Sequence, residues 1–182
     1  MSVLTIIEFP DPRLRTKAEP VSVFDAELKQ FVADMFETMY DANGVGLAAT
    51  QVNVHKQVLV ADMSDERNQP LALINPRLLT KDGAQVYQEG CLSFPGIYVP
   101  VKRGMRAKIR AMDLDGNIFE DEGEELYARA MQHETDHLNG RLLIDQVGPV
   151  KRELIKRRLR KEAEAEREEA AERAGNRSSS AG

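Results

Sequence analysis

One short run constrains this chain more than any other: Gln132-His133-Glu134-Thr135-Asp136-His137, which contains His-Glu-x-x-His. On a helix, residues four apart stack on one face. His133 and His137 would then offer two imidazoles to one divalent metal ion. Glu134 beside them can reach a water on that ion without being a ligand. The flanking residues agree with a helix, because Leu126, Ala130, His133 and His137 recur at helical spacing. Glu124 and Glu125 fall in the expected first turn, where the helix dipole favours acids. Asn139-Gly140 supplies a left-handed stop. A pattern this short also arises by chance, and paired histidines occur on ordinary helix surfaces. It gains force only with a third ligand and with groups that bind a substrate.

The rest of the chain sets the context. A length of 182 residues predicts one domain with a substantial core. A net charge of −5 gives no bulk case for nucleic-acid binding. No apolar run is long enough to span a bilayer, so no membrane partner is expected. The opening Met1-Ser2-Val3-Leu4-Thr5-Ile6-Ile7-Glu8-Phe9-Pro10 lacks the marks of a signal or transit peptide, and the expected location is cytoplasmic. Cys91 is the single cysteine, which rules out an intrachain disulfide.

Taken in order, residues 1–20 read as an extended lead-in punctuated by Pro10, Pro12 and Pro20, with Asp11-Pro12 as a turn. Val23 to Ala42 reads as a helix, with Phe24, Leu28, Phe31, Met35 and Met39 as its core stripe. The glycine-rich run Gly44-Val45-Gly46-Leu47-Ala48-Ala49-Thr50-Gln51 lacks the Gly-Lys-Ser/Thr ending of a phosphate loop. Its glycines suggest backbone passing close to something, and Gln51, taken alone, reads as a surface residue. Strands are expected at 52–62, 71–79, 97–101, 107–114 and 117–122, with Lys81-Asp82-Gly83 and Asp115-Gly116-Asn117 as turns. His55 reads as a surface or loop histidine. Cys91, after Glu89-Gly90, is an unnatural core residue. Arg141 to Asp145 reads as a brief strand. A long helix is expected from Val150 to about Arg173, with Pro149 at its first position and Leu154, Ile155 and Leu159 docking it. It carries seven Lys/Arg against one Glu over 151–161, then six Glu against one Arg over 162–172. Residues 175–182 are expected to be disordered. The fold class is therefore α+β: antiparallel β-sheets packed around a central His-Glu-x-x-His helix, with a long C-terminal helix. The expected division is a catalytic domain at 1–161 and an acidic helical extension with its tail at 162–182.

Three motifs stand in order: Gly44-Val45-Gly46-Leu47-Ala48-Ala49-Thr50-Gln51, Glu89-Gly90-Cys91-Leu92-Ser93 and the His-Glu-x-x-His run. Together they resemble peptide deformylase, the family that removes the N-formyl group from nascent chains. Phe9-Pro10-Asp11-Pro12-Arg13-Leu14-Arg15 also looks like that family's opening, and the resemblance spans roughly residues 4–160. It implies that Cys91, His133 and His137 are metal ligands and that Glu134 is the general base. It also implies that the Gln51 side-chain amide and the Leu92 N–H bind the formyl oxygen. The implied ion is Fe2+, with Ni2+, Co2+ or Zn2+ as substitutes. By donor chemistry alone, two imidazoles and a thiolate suit zinc equally well. The implied substrates are N-formyl-Met nascent peptides. Val45, Leu126 and Ala130 could line the methionine pocket, and Val45, Gly46 and Gly90 could pair with an extended peptide by strand addition. Plain core packing is the competing reading for Leu126 and Ala130. Tyr98 is placed at the rim. The resemblance also implies that the basic face Lys151–Lys161 docks on ribosomal RNA, against the alternative of a solvated helix. A generic zinc peptidase and a non-catalytic ribosome-associated module are the other two readings. An upstream cysteine as the third ligand argues against the first. Glu134 and Gln51 argue against the second.

Overall fold

The structure, a computed structural model, describes residues 2–180. Helix α1 (Ala26–Asp41) is capped by Asp25, whose carboxylate accepts from the Leu28 N–H at 3.0 Å and satisfies one otherwise unpaired first-turn donor. A five-stranded antiparallel sheet follows the order β1 (Gly46–Ala48), β2 (Val58–Ala61), β3 (Leu71–Asp82), β6 (Arg106–Met112), β7 (Ile118–Glu124). Strands β4 (Gln85–Cys91) and β5 (Phe94–Arg103) form a separate hairpin. The His-Glu-x-x-His helix is α2 (Leu126–Leu138), and α3 runs Pro149–Ser179.

Period-two side-chain alternation explains the layering. In β2, Val58 and Val60 join the core under α1, whereas Leu59 and Ala61 join the core under α2. Ile74 and Leu73 of β3 divide the same way. The sheet is thus covered by α1 on one face and α2 on the other, and β2 is buried at all four positions. In β5, Ile97, Val99 and Val101 point into a third cluster with Leu142, Leu143, Ile144, Ile155 and Leu159. The same alternation carries Arg103 inward, to 7% exposure. An inward charge on a strand must find partners, and they belong to the site described below.

Residues 4–19 cross the molecule as a strap. Their backbone N–H groups donate to Gln51 O (from Ile7, 2.8 Å), Ser93 O (from Phe9, 2.9 Å), Leu138 O (from Ala18, 2.9 Å) and His55 O (from Glu19, 2.9 Å). The glycine-rich run, the cysteine hairpin and α2 therefore each receive a bond from one segment. The end of α2 is closed by Asn139 and by Gly140, whose φ of 75° suits glycine. A Cβ there would fall 2.6 Å from Arg15 O of the strap.

Several elements differ from the sequence reading. The turn expected at Asp11-Pro12 is present and extends as a 3-10 turn over Pro12–Arg15, capped by the Asp11 carboxylate. Most of the 52–58 stretch is loop, preceded by a 3-10 turn at Ala49–Val52. Glu124 ends β7 and Glu125 is the cap residue at φ 54°, so neither acid lies in the first turn of α2. Arg141–Asp145 forms no strand: Leu143–Gln146 is a 3-10 turn, because Leu142, Leu143 and Ile144 are all buried in one cluster and no strand pairs with them. Residues 175–179 continue α3 as helix, and 181–182 lie outside the described residues. Ile155 and Leu159 are buried, but Leu154 is 60% exposed. Two buried aliphatic side chains contribute roughly 3–6 kcal/mol to docking the helix. Beyond Ala163 every described position is exposed.

Candidate active site

Cys91 ends β4 at the tight turn of the hairpin, paired across with Phe94. His133 and His137 come from the face of α2 that meets that turn. Cys91 Sγ lies 3.3 Å from His137 Nε2, and the two histidine Nε2 atoms are 3.2 Å apart. All three donor atoms lie within 4.8 Å of one another. Tetrahedral N and S ligands on one ion stand about 3.3–3.7 Å apart, given typical bond lengths. Burial, then the charges of His133 and Arg103, hold His137 well below the ordinary histidine pKa, in the neutral form that ligates metal. Its Nδ1 has no partner among the described residues. The donor set and spacing fit a divalent metal ion.

The support behind His133 is the inward Arg103. His133 Nδ1 lies 3.0 Å from Glu89 Oε1, which turns Nε2 toward Cys91 and His137. Glu89 accepts two bonds from Arg103, at 2.9 and 3.0 Å, and Arg103 Nη1 donates to Asp136 Oδ2 at 2.6 Å. Burial works to raise the Glu89 pKa, but the hydrogen bonds and charges of His133 and Arg103 outweigh it and hold the carboxyl below its usual range. Such outer partners orient ligands and tune their affinity.

Glu134 is 5% exposed, and its Oε2 has no hydrogen-bond partner among the described residues. Burial, chiefly, pushes its pKa up to about 7, with the Glu89 charge adding and the His133 charge opposing. Oε1 stands 3.8 Å from His133 Nε2. Gly46 packs directly on this carboxyl: a Cβ at Gly46 would lie 3.0 Å from Glu134 Cγ and Oε1. The glycine of β1 is thus explained by close approach.

Gln51 is 1% exposed, which corrects its reading as a surface residue. The 3-10 turn at Ala49–Val52 brings it inward. Its Oε1 accepts from the Ala48 N–H at 3.0 Å, and its Nε2 donates to Ser93 Oγ at 3.0 Å while lying 3.6 Å from Cys91 Sγ. The loop before β1 is clasped from behind. Arg67 donates to Gly44 O and to Asp62 O, and the Asp62 N–H donates to Val45 O at 2.8 Å. Tyr40 Oη donates to Asp62 Oδ2 at 2.6 Å.

In front of these groups lies a cleft of about 490 Å³. Val45, Gly46, Gly90, Leu92, Leu126 and Ala130 line it, so every residue expected to touch a substrate borders one space. Tyr98 stands at the rim, 71% exposed, with its ring over Gly90. His55 lies in a loop away from the cleft, 3.1 Å from Asn53 Oδ1. Arg103, Asp136 and Arg129 stand in no motif that marks them in the sequence, and Glu89 is marked only as the neighbour of Gly90-Cys91. The available signal was Arg103 itself, a charge at an inward position of an alternating strand.

A buried acid beside a compact cysteine and histidine cluster, at the floor of a cleft, places the molecule among the hydrolases. The polypeptide deformylase family model matches residues 3–153. The peptide deformylase of Pseudomonas aeruginosa is 53% identical over 164 residues, covering 89% of this chain and 97% of the relative. That of Stutzerimonas stutzeri is 54% identical over 163 residues, covering 88% and 96%. Among solved structures, a peptide deformylase from Legionella pneumophila superposes with a TM-score of 0.85 at 41% identity, covering 91% of this chain and 98% of that one. One from Ehrlichia chaffeensis, in complex with actinonin, gives a TM-score of 0.85 at 36% identity, covering 89% and 98%. The chain belongs to the polypeptide deformylase family, whose members are enzymes that remove the N-formyl group from nascent polypeptides. No helix among the described residues is long and apolar enough to cross a membrane.

Proposed function

We propose that this cleft hydrolyses the N-formyl group of formyl-methionyl peptides, with Cys91, His133 and His137 holding one divalent ion, Fe2+ by preference and Ni2+, Co2+ or Zn2+ as substitutes. A bound ion held by these three residues would supply Lewis acidity and lower the pKa of a water beside it. Glu134 takes a proton from that water. Its raised pKa, about 7, suits a group that must both accept and return a proton near neutrality. The water oxygen adds to the formyl carbon, the C–N bond breaks, and Glu134 delivers its proton to the departing amine. Formate and a free amino terminus result. Gln51 Nε2 and the Leu92 N–H donate to the developing oxyanion, each worth roughly 2.7–4 kcal/mol of barrier by analogy with other fixed donors. Leu126, Ala130 and Val45 receive the methionine side chain. Val45, Gly46 and Gly90 pair with the peptide backbone.

The observation that carries this reading is the convergence of Glu134, Gln51 and the three candidate ligands on one cleft floor. Formate release from formyl-Met-Ala-Ser by anaerobically purified, metal-analysed protein tests it. Wild type releases formate, and Glu134→Ala loses activity while retaining about one metal per chain. Release by that variant at the wild-type rate would remove Glu134 from its role. No release from iron-loaded protein would overturn the reading itself. The further assignments are a catalytic body at 1–161, a separate acidic extension at 162–182, a cytoplasmic location, and docking of Lys151–Lys161 on ribosomal RNA. The seven Lys/Arg over 151–161 support the docking, while the acidic stretch 162–172 would repel RNA and confines it to the part before Glu162. Truncation after Val150 that leaves ribosome affinity unchanged would refute it.

A further inference from the structure

Among the described residues, Arg129 is the only arginine or lysine lining the cleft. It sits four residues before His133 and three after Leu126, on the stretch of α2 that borders the cleft, about 6 Å along the axis from His133. Among the described residues it has no ion pair within 4 Å. The cleft's two carboxylates are otherwise engaged: Glu89 is held by Arg103 and His133, and Glu134 is buried beneath Gly46.

Arg129 is nevertheless held in place. Its Nη1 donates to Gln85 Oε1 at 2.8 Å, and its guanidinium carbon stands 3.9 Å from the centroid of the Tyr87 ring. Gln85 is itself anchored, with its Nε2 donating to Gly104 O at 2.9 Å and Glu125 O at 3.1 Å. One face of the guanidinium thus rests on an aromatic ring and one N–H is spent, while the other donors of the fork remain. A fork fixed in this way loses little entropy when it meets a carboxylate.

The path of the substrate leads toward it. Strand β4 pairs with β5 only, so its other edge is open to an added strand. Tyr87 lies four residues from Cys91 on that strand, about 13 Å of extended chain. A peptide with its formyl end at Cys91 and its backbone along β4 brings its second to fourth residues past Arg129.

We propose that Arg129 is a specificity-determining residue that makes this enzyme favour formyl peptides carrying a carboxylate just downstream of the methionine. This rests on the reading of the cleft as a formyl-peptide site. The carboxylate can come from an aspartate or glutamate side chain or from the free end of a short peptide.

The test compares kcat/KM for formyl-Met peptides that differ only by Glu against Gln at positions two, three and four, all as carboxamides. A second arm compares free-acid with carboxamide termini. At low salt, one position in the first arm should show a preference of roughly 5-fold for Glu, carried by KM, the scale of a partly solvated ion pair. The preference should fall toward unity near 1 M salt, where screening acts within about 3 Å. Arg129→Gln should bring the Glu/Gln ratio to one, Arg129→Lys should keep part of it, and Arg129→Glu should invert it. An effect confined to the second arm would identify the peptide terminus as the ligand. A wild-type ratio of one in both arms, or a ratio unmoved by Arg129→Gln, would overturn the inference. If Arg129→Glu fails to fold, the glutamine variant and the salt series decide. Failure to hydrolyse even the neutral peptides would instead strike the formyl-peptide reading.

Discussion

Replacing Arg103 by alanine should be the most damaging single change outside the cleft floor. The side chain makes two bonds to Glu89 and one to Asp136, and it is 7% exposed. Its removal leaves two carboxylates facing each other across an emptied space, with side-chain exposures of 8% and 19%. Breaking a buried ion pair from one side costs about 3–5 kcal/mol, because the remaining charge loses its partner but stays desolvated. For a chain of this size each kcal/mol lowers the melting temperature by about 2–4 °C, so a fall of roughly 6–20 °C is expected. Calorimetry on the chelator-treated protein measures this directly, since no ion then masks the loss. Glu89 also loses the bonds that steady it under His133 Nδ1, and metal affinity should drop by about 10–100-fold. Adding Glu89→Gln to Arg103→Met should recover part of the stability by removing the stranded charge. A melting shift under 3 °C, together with unchanged metal affinity, would refute the claim that Arg103 sustains the site.

Three other expectations follow from particular contacts. Gly46→Ala should fold normally but lose roughly 10-fold or more in kcat, since its methyl group would press on Glu134 and small misplacements of catalytic groups are costly; an unchanged kcat would contradict the close approach. Asp62 has its pKa lowered to about 2: burial pushes it up, but the Ser64 hydroxyl, Tyr40 and the backbone N–H groups of Ser64 and Gln69 prevail. Its contribution is therefore complete above the ordinary value of 3.8 and lost as pH falls from there through about 2. Urea midpoints of wild type and Asp62→Asn should differ more at pH 5 than at pH 2, and a gap independent of pH would be the failing result. Truncation after Lys161 keeps Ile155 and Leu159 and should leave the melting temperature within about 2 °C of the full chain, because the removed turns bury almost nothing; a larger fall would show that the outer helix packs on the body.

The site was partly legible because its chemistry is local in sequence. His133, Glu134 and His137 share one turn of helix, and Cys91 stood out as a cysteine among glycine and polar residues. What escaped were relations set by register. Arg103 lies opposite Gln85 in the hairpin and reaches Glu89, four residues further along β4, through its long side chain, and β4 itself is hard to read as a strand because Gln85, Gln88 and Glu89 break any apolar alternation. Gln51 reads as polar and superficial until the 3-10 turn rotates it inward. Leu142, Leu143 and Ile144 are as compatible with a strand as with a buried turn. Only the absence of a pairing partner among the described residues separates the two. Residues 175–179 show the opposite error: their composition suggests disorder, yet the helix continues through Ser179.

The strap has a consequence for how the molecule is made. Residues 4–19 precede all their hydrogen-bonding partners: Gln51 and His55 follow first, then Ser93, and finally Leu138, about 120 residues after Ala18. At roughly 5–20 residues per second, Ala18 waits about 6–24 s for its acceptor. The strap's bonds to Gln51 and His55 can therefore form before its bond to Leu138. That acceptor ends α2, the helix that also carries the two histidines. The last backbone bond of the strap and the two histidines of the candidate site thus depend on the same helix.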